Sequence, residues 1–168
     1  QRLWGVADDE GLSWALALAA CRESLEEAAI LPVIGSLSHA DALSLRETLT
    51  LGTAALRDAL VSRGLSIDLG SLVPFARWVT PEAEARRFDA RFFMLRTPEG
   101  QHGAHDAHET MASFWATPGE VLSRWQDRSV QLAPPTHRIL QLLSLHGAVD
   151  AALDAAGQMR LDPICPAL

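Results

Sequence analysis

The stretch CRESLEEAAI, residues 21–30, decides how the chain is interpreted, because it crowds three glutamates into five positions of a segment rich in helix formers. Like charges three or four residues apart on a helix repel, at a cost of a few tenths of a kcal/mol per pair. At about 100° per residue, Glu23, Glu26 and Glu27 gather on one arc, beside a single cation, Arg22. Such an acidic arc is usually a solvated surface. The alternative is that divalent cations relieve the repulsion, because Mg²⁺ binds carboxylate oxygens together with water and substrate phosphate.

The helix that carries the acidic arc is predicted to extend from Leu12 to Leu31, because Pro32 closes it and Ser13 is a fair amino-terminal cap. An apolar stripe roughly opposite the arc is expected to face the core. The members of this stripe are Leu18, Cys21, Leu25 and Ala28.

Two further helices are predicted over residues 39–63, where Gly52 separates them and Gly64 follows the second. Ser38 or Asp41 lies near the start of the first helix, and either residue type suits an amino-terminal cap. We interpret residues 38–64 as a helical insertion.

Strands are predicted after residue 71, because aromatic and β-branched residues become frequent there and prolines mark the segment ends. The strand segments are LVPFARWVTP (72–81), RRFDARFFMLRTP (86–98) and, as a third, ETMASFWATP (109–118). Helices are predicted over PGEVLSRWQD (118–127) and, in one or two pieces broken around Gly147, over residues 134–157.

The bulk composition indicates one globular domain over residues 1–168, since 168 residues with 48% hydrophobic content can bury a sizeable core. A formal net charge of −7 disfavours nucleic acid as a partner. No apolar stretch is long enough to span a membrane, so no membrane partner is expected. The only cysteines, Cys21 and Cys165, have no metal-ligand or redox spacing, which favours a reducing compartment and makes the cytoplasm the expected location.

Residues 22–30 resemble the second half of the Nudix box, REUxEExGU, in which U is a bulky aliphatic residue. The match includes the RE pair, the EE pair and the final aliphatic residue. Ser24 departs from the pattern at an aliphatic position. Ala29 replaces the glycine and is well tolerated only if the backbone there keeps right-handed helical angles. The first half of the box is not matched, since Trp14 and Asp8 occupy the positions of its glutamate and glycine.

Three further segments follow the order and spacing of the CoA-diphosphatase-like branch of the Nudix hydrolase family, which carries an insertion before the RE pair. They are residues 74–93, 108–122 and 132–143, and the resemblance extends over residues 12 to about 145. It implies an α/β fold, the Nudix α/β/α sandwich with a mixed sheet, a helical insertion and a carboxyl-terminal helical segment over 134–168. The early strands of that fold do not precede the acidic helix in the given sequence, and we expect them to lie before Gln1. The alternative is that the sheet is completed in some other way.

The activity implied by this resemblance is hydrolysis of a diphosphate linkage in a nucleoside diphosphate derivative, with CoA or acyl-CoA favoured and Mg²⁺ or Mn²⁺ as the cofactor. Glu26 and Glu27 would be metal ligands, and Glu23 a further ligand or the acid/base group. Arg22 would orient the carboxylates. Glu109 fits the later glutamate that completes the metal site in this family.

Other functions stay open at this stage. The substrate could be a nucleotide sugar or a dinucleotide, because the box specifies diphosphate chemistry and other regions select the attached group. A second class of function is a Nudix-like domain that binds a ligand or partner without turning it over, which Ser24, Ala29 and the missing early strands favour. The resemblance also leaves a homodimer open. The carboxyl-terminal PAL lacks the basic residue of a peroxisomal signal, so that location is not carried over from the family.

Arg87 and Arg91 are candidate ligands of a substrate phosphate, because a guanidinium binds phosphate with two parallel hydrogen bonds. In a regular strand Arg87, Asp89 and Arg91 would point to one side, so a purely structural charge ladder is the alternative.

Two more groups of residues have a functional and a structural interpretation. His102, His105 and His108 recur every three residues and could bind zinc, although a solvated polar turn is the favoured interpretation. The aromatic residues Trp78, Phe92, Phe93 and Trp115 are expected in the core rather than as adenine-stacking platforms.

Overall fold

The computed structural model describes residues 10–105, 113–159 and 161–166. Contacts divide the chain into two compact units. The helical unit comprises Asp8–Leu72 and Leu95–Ser113, and the sheet unit comprises Gln1–Ala7, Val73–Met94 and Phe114–Leu168. Such a division does not distinguish two domains from two halves of one, so the single domain over residues 1–168 stays a prediction.

The helical unit begins with α1 (Glu10–Ala28), which confirms the predicted helix but ends three residues before the expected Leu31. It ends early because Ala29 has φ of 51°, a left-handed conformation that no α-helix continues through. The Ala29 amide still donates to the Leu25 carbonyl at 3.0 Å, which satisfies one of the last carbonyls of the helix.

The buried face of α1 is shifted from the predicted stripe. Ala17, Cys21 and Leu25 are at most 1% exposed, whereas Leu18 is 44% exposed. The placement of Leu18 in the core was therefore wrong. Residues four apart advance by 40° around a helix, so Ala17, Cys21 and Leu25 form a gently inclined row with Leu18 at its edge.

The two helices predicted over residues 39–63 are confirmed as α2 (His39–Leu49) and α3 (Thr53–Ser62), and their interpretation as a helical insertion stays a prediction. Ser38 caps α2, since its hydroxyl accepts from the Asp41 amide at 3.1 Å. Gly52 has φ of 101°, a conformation that favours glycine, and it turns the chain between the helices. Both helices bury aliphatic residues, which are Ala42, Leu45, Leu56 and Leu60.

The helical unit also contains a two-stranded antiparallel sheet that was not predicted. It pairs β1 (Val33–Ile34) with β2 (Ser66–Ile67), and a 3-10 turn at Leu69–Ser71 follows. Strands of two residues are too short to produce a period-two pattern, which explains the omission.

The sheet unit is built on a mixed three-stranded sheet in the order β4-β3-β5. The predicted strands appear as β3 (Val73–Val79) and β4 (Asp89–Met94), which pair antiparallel, while β5 (Pro163–Ile164) pairs parallel with β3. The third strand predicted over 109–118 is wrong for residues 113–117, which form no strand, and residues 109–112 lie outside the described residues.

Three helices complete the sheet unit, in agreement with the sequence. They are α4 (Pro118–Gln126), α5 (Pro134–Leu143) and α6 (Val149–Gln158). The start of α4 is specified by a capping box, in which Thr117 and Glu120 each bond the other's backbone amide. A core cluster joins the sheet to α6 through Phe75, Ala76 and Ala156.

The expectation for the aromatic residues holds in part. Phe92 packs against the core cluster, whereas Trp115 is 71% exposed, so its placement in the core was wrong. No described helix is both long enough and apolar enough to cross a membrane.

Candidate active site

One guanidinium group joins two of the three carboxylates of the acidic arc. Arg22 Nη1 donates to Glu26 Oε2 at 2.5 Å, and Arg22 Nη2 is paired with Glu23 Oε1. The three side chains are between 39% and 50% exposed, so water and small solutes can reach them. Because ion pairs at such exposure contribute less than about 1 kcal/mol each, the pairing orients the carboxylates more than it stabilises the helix.

The acidic arc keeps an excess of negative charge. Glu27 is exposed and has no ion-pair partner in the part of the chain that the structure describes. Glu26 and Glu27 also lie in the last turn of α1, which contains no basic residue. A helix carries a partial negative charge at its carboxyl end, so carboxylates are disfavoured there and cations are favoured. Both the like charges and the helix dipole therefore attract a cation to this end of α1.

The end of α1 is shaped by Ala29, which occupies the glycine position of the box. Its φ of 51° shows that the backbone at this position is left-handed. Alanine would be well tolerated only if the backbone kept right-handed helical angles, so that condition is not met. A left-handed residue with a Cβ costs roughly 1–2 kcal/mol. Ala29 is fully buried, and its methyl group recovers part of that cost through packing.

The loop before Glu109 is attached to the end of α1 by one backbone hydrogen bond and to α2 by further bonds. The Ala104 amide donates to the Ala28 carbonyl at 2.8 Å, and Arg46 Nη1 donates to the Ala104 carbonyl at 2.9 Å. Further back, the His39 amide donates to the Gly100 carbonyl at 3.1 Å. The loop is therefore held against both α1 and the start of α2.

Gln101 is the buried polar residue that holds this loop, and the sequence did not single it out. Its Oε1 accepts from the Leu31 amide at 2.9 Å, and its Nε2 donates to the Leu31 carbonyl at 3.0 Å and more weakly to the Leu37 carbonyl at 3.5 Å. The side chain is 4% exposed. The Gln101 side-chain amide thus bonds the Leu31 backbone just after α1, as the backbone of a neighbouring strand would. No local sequence pattern indicates this role.

Glu109 lies outside the described residues. The residues on either side of that gap are close together, since His105 Nδ1 lies 3.3 Å from Ser113 Oγ. Ala104, which is bonded to the end of α1, precedes Glu109 by five residues, a length of chain that spans at most about 17 Å when extended. The role of Glu109 stays a prediction.

The described carboxylates suit a hard divalent ion in their chemistry. Among residues 10–105, 113–159 and 161–166, no three Asp, Glu, His or Cys side chains form a cluster that could hold a metal by themselves. Mg²⁺ does not require such a cage, because it keeps several waters and binds through one or two carboxylates together with substrate phosphates. Exposed carboxylates at the negative end of a helix meet that requirement, so the donor set fits Mg²⁺ or Mn²⁺ and leaves coordination positions for substrate.

The structure gives the candidate phosphate-binding arginines other contacts. Asp89 accepts from Arg77 Nε at 2.9 Å and Nη2 at 2.7 Å, and it also pairs with Arg91. These two guanidinium groups hold the pKa of Asp89 below its usual value, chiefly through the hydrogen bonds from Arg77. Arg87 precedes β4, and its Nε donates to the Thr80 carbonyl at 3.3 Å.

The ladder predicted from a regular strand is therefore corrected. Its members are Arg77, Asp89 and Arg91, because β4 starts at Asp89 and the register places Arg77 opposite Arg91. The sequence could not reveal Arg77, since cross-strand partners depend on register. Arg87 and Arg91 belong to the sheet unit, and their role in phosphate binding stays a prediction.

The described histidines of the candidate zinc motif have different neighbours. The His102 ring lies 5.8 Å from the His39 ring, centroid to centroid, and His105 contacts Ser113. His108 lies outside the described residues. No group of three or more metal-ligating side chains includes His102 or His105 in the described part of the chain, and zinc binding by this segment stays an untested alternative.

Comparisons with known proteins agree with the resemblance. Residues 8–143 match the family described as the NUDT19 Nudix domain. A crystal structure of a NUDIX hydrolase from Alicyclobacillus acidocaldarius superposes with a TM-score of 0.75 at 27% identity, and the match covers 95% of this chain and 73% of that one. The mixed sheet with its helices is thus the α/β Nudix fold predicted from the sequence.

A relative of known activity matches over a shorter length. The Gallus gallus protein named acyl-coenzyme A diphosphatase NUDT19 is 32% identical over 76 residues, which are 40% of this chain and 19% of that protein. The chain thus spans only about a fifth of the length of this curated relative. Taken with the family match over residues 8–143, the fold and the acidic helix establish that the chain belongs to the NUDT19 Nudix domain family of Nudix hydrolases.

Proposed function

We propose that this chain catalyses divalent-metal-dependent hydrolysis of a diphosphate linkage in a nucleoside diphosphate derivative, with CoA or acyl-CoA as the favoured substrate. The family membership supports diphosphate hydrolysis, and the name of the Gallus gallus relative supports the CoA assignment. The observation that carries the proposal is the acidic arc at the negative end of α1, which has an uncompensated charge and is open to solvent.

The reaction joins water to a P–O–P bridge. The oxygen of water attacks one phosphorus, the bond from that phosphorus to the bridging oxygen breaks, and two phosphate monoesters leave with the protons shared between them. When bound, Mg²⁺ or Mn²⁺ would supply charge neutralisation for the phosphate oxygens and activation of the attacking water. Glu26 and Glu27 would bind the ion, and Glu23 would be a further ligand or would accept the proton of the attacking water.

Arg22 would act as a positioning residue. It contacts Glu23 and Glu26 at the same time, so it restricts the rotamers of both carboxylates. It forms no ion pair with Glu27, which leaves that carboxylate available to bind a metal ion. Glu109 would complete the site from the loop whose near end is bonded to Ala28. We further propose a reducing compartment, the cytoplasm, as the location, because Cys21 and Cys165 are both free thiols.

The test incubates the full chain with CoA, ADP-ribose or NADH and with Mg²⁺ or Mn²⁺, and measures the phosphate monoester products. Replacing Glu26 and Glu27 by glutamine is expected to lower kcat by about 100-fold or more, because each change removes a charge needed in the transition state. Glu47→Gln, an exposed glutamate of α2, is the matched control and is expected to keep full activity.

Two results would contradict the proposal. One is the absence of turnover for every substrate, which would favour a domain that binds a ligand or partner without hydrolysing it. The other is unchanged turnover in the double glutamine variant, which would place the chemistry elsewhere in the chain.

A further inference from the structure

Two histidine rings lie side by side where the loop over residues 95–105 meets the start of α2. The centroids of the His39 and His102 rings are 5.8 Å apart, and the ring planes are inclined by 53°. The His39 amide donates to the Gly100 carbonyl at 3.1 Å, which joins the two segments that carry the rings. Both segments belong to the helical unit. The backbone therefore holds the two rings near each other.

The Nδ1 atom of His39 is buried and has no hydrogen-bond partner in the described part of the chain. Most buried polar atoms have a partner, because the loss of contact with water is otherwise uncompensated. A bound ion is one of the explanations for such an atom. In one neutral tautomer of imidazole Nδ1 carries a lone pair, which can bind a metal ion. His102 is exposed, so a solute can reach the pair from its side.

The distance between the two rings suits a shared metal ion. Zn–N bonds of about 2.0–2.1 Å place the centroids of two imidazoles on one tetrahedral zinc roughly 5 Å apart. The observed separation of 5.8 Å is close to that value, and a small rotation of the exposed His102 side chain can remove the difference. Each imidazole has two nitrogen atoms, so one can bind the ion while the other keeps a hydrogen bond.

The donor atoms select a metal of a different class from the ion expected at the acidic arc. Imidazole nitrogen suits Zn²⁺, Cu²⁺ and Ni²⁺, whereas carboxylate oxygen suits Mg²⁺ and Mn²⁺. No third Asp, Glu, His or Cys side chain completes a metal-binding group with the pair among the described residues, so water would fill the remaining positions. Asp41 in the first turn of α2 supplies a negative charge that opposes the positive helix end near His39.

We propose that His39 and His102 form a binding site for Zn²⁺, separate from the acidic arc, and that the bound ion fastens the loop over residues 95–105 to α2. The proposal does not depend on the proposed function, because neither histidine belongs to the acidic arc. It also differs from the zinc motif found in the sequence, since His39 comes from a distant segment and replaces His105 and His108 as a ligand. The ion would be structural, because it joins two segments about sixty residues apart.

The first test measures Zn²⁺ binding to the full chain by isothermal titration calorimetry, with millimolar Mg²⁺ present to compete for the carboxylates of the acidic arc. One zinc ion per chain is expected. His39→Gln and His102→Gln are each expected to lower the Zn²⁺ affinity by about tenfold or more, since loss of even an indirect partner of a metal has that effect. His146→Gln, in the sheet unit, is the matched control and is expected to keep the affinity. No zinc binding by the parent chain, or unchanged affinity in both glutamine variants, would overturn the proposal.

Two more variants separate this site from other places that could hold zinc. His105→Gln and Cys165→Ala are both expected to keep the full Zn²⁺ affinity. If His105→Gln lowers the affinity as much as His102→Gln while His39→Gln does not, the loop motif holds the ion and the proposal fails. If Cys165→Ala alone abolishes binding, the ion belongs to the exposed thiol and the proposal fails as well.

Hydrogen exchange tests whether the ion fastens the loop. The His39 amide bonds the loop directly, so saturating Zn²⁺ is expected to slow its exchange by about tenfold or more, because opening of the loop would then require release of the ion. His102→Gln changes an exposed residue and is expected to keep the fold but to lose this effect of zinc. Exchange of the His39 amide at the same rate with and without Zn²⁺ in the parent chain would contradict the proposed role of the ion.

Discussion

At the scale of single residues, the end of α1 depends on one alanine. Ala29 adopts a left-handed conformation, is fully buried and lies two residues after Glu27, the last residue of the acidic arc. The sequence comparison made Ala29 conspicuous as a substitute for glycine, but the sign of φ at that position became known only from the folded backbone. Because the methyl group is buried, this alanine is both strained and packed.

We expect Ala29→Val to destabilise the protein by about 2–4 kcal/mol, because a β-branched side chain resists the left-handed conformation and overfills a buried site. Ala28→Val is the matched control, since Ala28 is half-buried and right-handed helical, and it is expected to cost less than about 1 kcal/mol. The free energy of unfolding by urea measures both. Similar values for the two variants would contradict the role assigned to the conformation of residue 29.

At the scale of elements, the loop over residues 95–105 is positioned by hydrogen bonds rather than by an apolar face. Gln101 bonds the amide and the carbonyl of Leu31, and the Ala104 amide bonds the end of α1. These contacts join segments about seventy residues apart in the chain. They determine where the loop that leads to Glu109 begins.

We expect Gln101→Leu to destabilise the protein by about 2–4 kcal/mol, because the change leaves the buried amide and carbonyl of Leu31 without partners. Hydrogen exchange of the Leu31 and Ala104 amides should increase together, since both hold the same loop. Gln131→Leu, at an exposed position, is the matched control and is expected to change stability by less than about 0.5 kcal/mol. Unchanged exchange at Leu31 in Gln101→Leu would contradict this assignment.

At the scale of the whole molecule, the alkaline titration is unusually simple. The chain has no tyrosine, and its 14 basic residues are all arginine, so between pH 9 and 11 cysteine is the side chain that titrates. Cys21 is 1% exposed, whereas Cys165 is exposed. Burial, with a smaller contribution from the negative charge of Asp68, raises the pKa of the Cys21 thiol from 9.0 to about 11.

We therefore expect stability to fall as the pH rises from 9 to 11. The unfolded chain loses the Cys21 proton near pH 9 while the folded chain keeps it to about pH 11, so ionisation favours the unfolded state over this interval. The stabilisation is fully present below pH 9, and its loss amounts to about 2–3 kcal/mol. Urea unfolding at stepped pH measures it, with Cys21→Ala expected to remove the slope and Cys165→Ala to retain it. A slope that persists in Cys21→Ala would contradict the assignment.

The sequence by itself determined the acidic helix, the helices α2 and α3 with Gly52 between them, and the two long strands, whereas it left the cap of α2 open between Ser38 and Asp41. These follow from local causes: helix propensity, capping, left-handed glycines and β-branched composition act within a few residues. It also indicated the family, because the spacing of Arg22, Glu23, Glu26 and Glu27 is a local pattern and three further segments follow it in the order of the family.

Only the tertiary structure decided which long-range partners complete these elements. The pairing of Asp89 with Arg77 depends on the register of two strands. The hydrogen bonds of the Gln101 side chain depend on Leu31, seventy residues away in the chain. The strand β5 and the pair of His39 and His102 likewise exist only when distant segments meet. Contacts of this kind are specified by the packing of the whole chain, because the free energy that selects them is shared among residues with no neighbouring pattern in the sequence.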